Sequence, residues 1–198
     1  MEGDKLYSKQ TDDFPVLQTE RLLLREIQNE DALDILEYLS DKDVMKYYGM
    51  EPFQSLEDVL EEVAWYKSIR IKQTGIRWGI TLKENGKVLG SCGFLNWDKR
   101  HYRTEIGYEL HKNYWGKGLA SEALRAVVQY GFEHMRLERI QALIEPPNLS
   151  SLSLLEKHGF LCEGLLRSYE FTCGKMDDLY MYSLIKKDFN VRRAQTND

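Results

Sequence analysis

Two glycines one residue apart, Gly116 and Gly118, follow a strand-like segment (TEIGYEL, 104–110) and precede an amphipathic helical pattern. Glycine has no Cβ, so the backbone there can turn tightly and approach a bulky ligand. The first N–H groups of a helix lack intrahelical partners and lie at the positive end of its dipole. Strand, glycine turn and helix start therefore form an anion site, most often for phosphate. A dinucleotide fingerprint fails here, because Ser121 stands where G-x-G-x-x-G needs its third glycine and Tyr114 and Trp115 lengthen the turn. No G-x-x-x-x-G-K-[ST] run and no kinase signature is present.

The elements that must position this loop read as one mixed α/β domain over residues 1–198, with 1–14 and 189–198 as loosely held tails. LQTERLLLR (17–25) predicts a first strand, and DALDILEYLS (31–40) a helix with Leu33, Leu36 and Leu39 on one face. Ser55 with Asp58 forms a capping box opening a helix to about Ile71. RWGITL (77–82) and KVLGSCGFL (87–95) flank Glu84, Asn85 and Gly86 as a hairpin. Ala120, Leu124, Val127, Val128, Gly131 and Met135 mark the core face of the helix after the loop. RIQALI (139–144) is a strand ended by Pro146 and Pro147. NLSSLSLLEKHGF (148–160) is a helix closed by Gly159, and two last strands meet near Gly174.

A composition of 42% hydrophobic and 30% charged residues is that of a folded globular chain. A net charge of −5 argues against general nucleic-acid binding and suits a cationic acceptor such as an amine. Three cysteines, Cys92, Cys162 and Cys173, suggest neither a disulfide framework nor a zinc site, and the four histidines have no metal-ligand spacing. Without a signal-like start or a long apolar run, the expected setting is the cytoplasm, away from membranes.

Several segments, in order, resemble the GNAT superfamily of N-acetyltransferases, within it the ribosomal-protein alanine N-acetyltransferase (RimJ/RimL-like) branch. They are LQTERLLLR, EIGYELHKNYWGKGLASEAL, NLSSLSLLEKHGF, CEGLLRSYEF and DDLYMYSLI, together spanning about residues 16–188. The resemblance implies a mostly antiparallel twisted sheet, splayed between its fourth and fifth strands and flanked by about four helices. It also implies acetyl-CoA as co-substrate, no metal, and a homodimer as a common assembly. The family loop usually opens with Gln or Arg where this chain has Asn113. The backbone cradle is unaffected, since Trp115, Gly116, Lys117, Gly118, Leu119 and Ala120 can donate main-chain N–H groups whatever their side chains.

By the same resemblance Glu105 is the base that deprotonates the amine, directly or through water; otherwise it is a solvent-facing strand carboxylate. A main-chain N–H of Glu109 or Leu110 would bond the thioester oxygen. Ser151 would serve the departing thiolate, and Asn148 the pantetheine amides; Asn148 also suits a helix N-cap. Lys117 either pairs with a phosphate or is solvated. Trp97, Tyr102 and Tyr108 either line the acceptor pocket or belong to core and rim, and Tyr47 and Tyr48 carry the same alternatives. The acceptor implied is a primary amine, foremost a protein N-terminus, with a polyamine, amino sugar or amino acid as the alternative. A non-catalytic acyl-CoA-binding module is a further reading, disfavoured because Glu105 and Ser151 are both present.

Overall fold

LQTERLLLR does not run as one strand. The Thr19 hydroxyl accepts from the Leu22 N–H at 2.9 Å and the Thr19 N–H donates to the Leu22 carbonyl at 3.0 Å. The chain therefore doubles back, and β1 (Leu17–Gln18) pairs antiparallel with β2 (Leu22–Arg25). The computed structural model describes residues 13–196; the expected loose segment 1–14 lies outside it except for its last two residues.

The sheet continues through β3 (Ile76–Leu82), β4 (Val88–Asp98), β5 (Arg103–Leu110), β6 (Arg139–Ile144), β7 (Leu161–Thr172) and β8 (Lys175–Ile185), in the order β1-β2-β3-β4-β5-β6-β8-β7. Every neighbouring pair is antiparallel except β5 with β6. A parallel pair needs a crossover, and helix α4 (Leu119–His134), entered after described helices α1 (Ala32–Leu39), α2 (Lys42–Met45) and α3 (Leu56–Ile71), supplies it. Helices α5 (Leu149–Lys157) and α6 (Lys186–Thr196) complete six among the described residues, two more than the four expected: α2 and α6 are the additions.

Ser55 and Asp58 close the expected capping box on α3. On α4 the buried stripe includes Leu124, Val127, Val128 and Gly131 as read, and adds Leu119, Ala123, Phe132 and the charged Glu122. On α1 the face is corrected: Leu33 is 70% exposed, and Ala32, Ile35, Tyr38 and Leu39 turn inward. Residues 189–196, read as part of a loose tail, continue α6, where Phe189 packs on Phe132 with ring centroids 5.0 Å apart.

One sheet face and α4 share the larger core, with Ile76, Trp78, Phe94, Ile106 and Leu110 against Leu124, Val127 and Phe132. On the other face, under α1 and α3, lies a buried polar row. Arg77 stands opposite Gly93, and Gly93 opposite Gly107, so the arginine side chain crosses two strands that carry no side chain in its path. Its Nη1 lies 3.0 Å from where a Gly107 Cβ would sit. Its Nε donates to Ser91 Oγ at 2.5 Å and its Nη2 pairs with Glu109.

Candidate active site

β5 and β6 share three register pairs, Arg103↔Arg139, Thr104↔Ile140 and Glu105↔Gln141, and then part. β5 runs on to Leu110 and β6 to Ile144, leaving a gap between them. The edge of β5 facing that gap follows from its ladder with β4. The His111 N–H donates to Leu89 O at 2.7 Å, and the register is regular from Leu110 back to Glu105. Antiparallel pairs alternate between bonded and non-bonded, so Glu109 and Gly107 turn their amides toward β4, and Tyr108 and Leu110 turn theirs into the gap. Of the two donors considered from sequence, Leu110 faces the gap and Glu109 does not, its carboxylate being buried on Arg77. The Tyr108 amide is a donor that sequence reasoning missed. The Leu110 carbonyl accepts from Trp115 Nε1 at 2.6 Å.

Glu105 occupies the vertex of the gap. The side chains of Asn96, at positive φ beside the β4 bulge, and of Gln141 lie near its carboxyl and favour its ionised form. Burial raises its pKa above the ordinary carboxylate range, with neighbouring Glu170 acting in the same sense and the two amides opposing.

Across the gap Asn148 caps α5: its Oδ1 accepts from the Ser151 N–H at 3.2 Å and from Ser150 Oγ at 3.0 Å. The Tyr108 hydroxyl donates to the Ser151 carbonyl at 3.4 Å, and burial pushes this phenol well up. Strand alternation puts Tyr108 on the sheet face opposite Glu105, so it joins β5 to α5 instead of lining an acceptor pocket beside that carboxylate. Tyr102 is 53% exposed in the turn before β5, where β5 and β6 are still paired. Trp97 packs against the main core, with the Lys99 ammonium 4.6 Å from its ring centroid. Neither is brought to the gap. Tyr47 does reach its rim, donating to the Pro147 carbonyl at 3.3 Å, and Tyr48 donates to Glu62 at 3.2 Å.

The gap leads to the glycine loop. Gly116 and Gly118 both have positive φ, +71° and +77°, and no atom lies within 4 Å of a Cβ built on Gly116. Gly118 is the N-cap of α4, so the Leu119 and Ala120 amides that follow have no helical partner. The Lys117 ammonium sits 5.1 Å from the Tyr114 ring centroid. A cradle of left-handed glycines and free helix amides fits a diphosphate.

Three supports of this loop were not read from the sequence. His111 is buried: its Nδ1 accepts from the Asn113 N–H at 3.1 Å, so Nε2 carries the proton toward Glu37 Oε1 at 3.1 Å. Arg21 reaches the loop from the β1–β2 turn, and Glu122 holds Arg21 from inside α4. The available signal was Glu122 itself, a carboxylate three residues after Leu119 on an apolar stripe, which requires a cation.

Residues 21–161 match the family model of the acetyltransferase (GNAT) domain. The chain belongs to the GNAT acetyltransferases. This GNAT chain is 41% identical over 173 residues to the uncharacterized N-acetyltransferase p20 of Bacillus licheniformis, covering 87% of this chain and 97% of that one. A crystal structure of a GNAT-family acetyltransferase from Bacillus anthracis superposes with a TM-score of 0.78 at 31% identity, over 87% of this chain and 99% of the other. The [ribosomal protein uS5]-alanine N-acetyltransferase of Escherichia coli is a more distant relative, 23% identical over 89% of this chain and 94% of its own length. Among the described residues of this GNAT chain no helix is long and apolar enough to cross a membrane, and no group of three or more His, Cys, Asp or Glu side chains could hold a metal ion.

Proposed function

We propose that this chain transfers the acetyl group of acetyl-CoA directly to a primary amine, the α-amino group of a protein N-terminus. The observation that carries this reading is the continuous path from the left-handed glycine loop, along the free edge of β5, to Glu105 at the vertex. The amides of the loop and the first turn of α4 would hold the diphosphate, and the Tyr108 and Leu110 edge would pair with the pantetheine amides. Acetyl-CoA supplies the activated thioester. An N–H on that edge stabilises negative charge developing on its carbonyl oxygen.

An α-amino group with a pKa of about 8 is largely protonated at neutral pH, so a base is required. Glu105, with its raised pKa, would accept that proton. Ser151 and Asn148 at the start of α5 would face the coenzyme sulfur and amides. Direct transfer is favoured over a cysteine-bound intermediate because Cys92, Cys162 and Cys173 all lie outside the segments assigned to the chemistry, and Cys92 is buried with its thiol pushed up to about 12. The uS5-alanine activity of the E. coli relative supports an N-terminal acceptor.

Calorimetric titration with acetyl-CoA, NAD and ATP tests the coenzyme; selective acetyl-CoA binding is the expected result, and selective NAD or ATP binding overturns the reading. A thiol-release assay with N-terminal peptides, polyamines, amino sugars and amino acids then tests the acceptor. Turnover confined to small amines would overturn the N-terminal assignment alone.

A further inference from the structure

The β1–β2 turn contributes one side chain to the glycine loop, and it does so from almost a hundred residues away in the chain. Arg21 grips Glu122, in the first turn of α4, three ways: its main-chain N–H donates to Oε1 at 2.8 Å, Nε donates to Oε2 at 2.7 Å, and Nη2 pairs with Oε2 at 2.7 Å. The Thr19 hydroxyl donates to Oε1 at 2.5 Å. The fourth donor of Arg21 goes elsewhere. Nη1 donates to the main-chain carbonyl of Lys117 at 2.9 Å, and Nη2 lies 3.5 Å from a Cβ built on Gly118.

That last bond bears on the coenzyme. In a trans peptide the carbonyl and the following N–H point in opposite directions. Holding the Lys117 carbonyl toward Arg21 therefore fixes the Gly118 N–H on the far side of the same plane. Lys117 is flanked by Gly116 and Gly118, and glycine has the widest conformational freedom of any residue, so the loop sequence alone does not set that direction. Glu122 neutralises the guanidinium and fixes its plane, so Arg21 acts through backbone orientation and not as a counter-ion to phosphate.

We propose that Arg21 is a positioning residue for coenzyme binding, which orients the Lys117–Gly118 peptide so that its N–H is aimed at the diphosphate before the coenzyme arrives. The inference rests on the acetyl-CoA reading. It predicts a division of labour within one side chain: the Glu122 contacts tie the β1–β2 turn to α4, and the Lys117 contact tunes the anion site.

Arg21→Lys separates the two, because an ammonium can pair with Glu122 but lacks the planar fork needed to hold Lys117 at the same time. The variant should melt within a few degrees of wild type. Calorimetry should show CoA binding weakened by about tenfold or more, the effect of losing one charge-assisted hydrogen bond. The inhibition constant of pantetheine, which has no diphosphate, should stay within about twofold of wild type. In the free protein the Gly118 amide nitrogen shift should move, because it reports the hydrogen bond that Arg21 makes to the preceding Lys117 carbonyl.

Equal losses for CoA and pantetheine, or CoA binding within about twofold of wild type, would overturn the proposal. Should the wild-type protein fail to bind CoA, the acetyl-CoA reading falls. An unmoved Gly118 amide shift in Arg21→Lys would then dispose of the positioning role on its own evidence.

Discussion

Glu105 stands opposite Gln141 in the last register pair that β5 and β6 share, and the Gln141 amide favours its ionised carboxylate. The candidate base is thus fixed at the point where the sheet opens, held by a strand on either side.

Glu105→Gln should lower kcat by about 10²- to 10⁴-fold. Because the wild-type carboxyl titrates above its ordinary range, its base function is lost as pH falls through the raised value, and the kcat profile should show an acid limb that the variant lacks. The stability effect has the opposite sense. Folding favours the protonated form, so wild type loses stability as pH rises from the unfolded carboxylate pKa through the folded one. At neutral pH the variant should melt no lower than wild type, which separates a catalytic loss from an unfolding one.

Gly118→Ala places a Cβ on a residue at φ +77°, a strain of about 1–2 kcal/mol. Thermal melts should register that cost, and calorimetry should show weaker CoA binding. Gly174→Ala is the control: φ is +80° in the β7–β8 turn, with open space around the added carbon. It should show the strain and no change in CoA affinity.

Arg77→Met leaves the Glu109 carboxylate buried without its partner and should cost about 3–5 kcal/mol in urea denaturation. The double variant Arg77→Met/Glu109→Met removes the orphan and should recover most of that loss. A double variant as unstable as the single one would show that the ion pair is not the cause.

His158 lies with Nε2 2.7 Å from Ser121 Oγ, between α5 and the first turn of α4. Burial, with Lys157, Arg125 and Arg192 nearby, holds its imidazole down to about 4. The folded state therefore keeps it neutral, and its contribution to stability is complete above the unfolded value of about 6.5 and lost as pH falls toward 4. Melting temperatures across that window should fall less steeply for His158→Gln.

Asn148→Ala removes the α5 cap and should cost about 1 kcal/mol, whereas Asn148→Asp should retain it. Equal melting temperatures for wild type and Asn148→Ala would contradict the capping role.

Features written into neighbouring residues were legible in the sequence. The Ser55–Asp58 box, the Asn148 cap, the hairpin over Glu84–Gly86 and the left-handed Gly159 each depend on a few consecutive side chains. The loop itself is such a feature. What escaped depends on register or on contacts between distant segments. Leu33 fits a three-residue repeat yet points outward, because α1 presents Ala32, Ile35 and Leu39 to the interior instead. Arg77 could not be matched to Glu109 until β3, β4 and β5 were aligned with two glycines between them. Tyr108 was read by its nearness to Glu105 along the strand, and alternation sends it to the other face. Arg21 and Glu122 are about a hundred residues apart, and only the fold makes them neighbours.

The His111–Glu37 contact joins the start of the glycine loop to α1, whose chain continues through α2 to the Tyr47 rim of the gap. Loop and rim are thus physically connected, and the expected consequence is that a ligand which orders one changes affinity at the other. Linkage makes such an influence reciprocal: whatever factor the coenzyme applies to acceptor affinity, the acceptor must return to the coenzyme. Lys112 also pairs with Asp41, at 2.5 Å. Glu37→Ala should therefore reduce the factor by which each ligand alters the other's affinity, and Glu37→Ala with Asp41→Asn should reduce it further, as titrations of each ligand with and without the other would show.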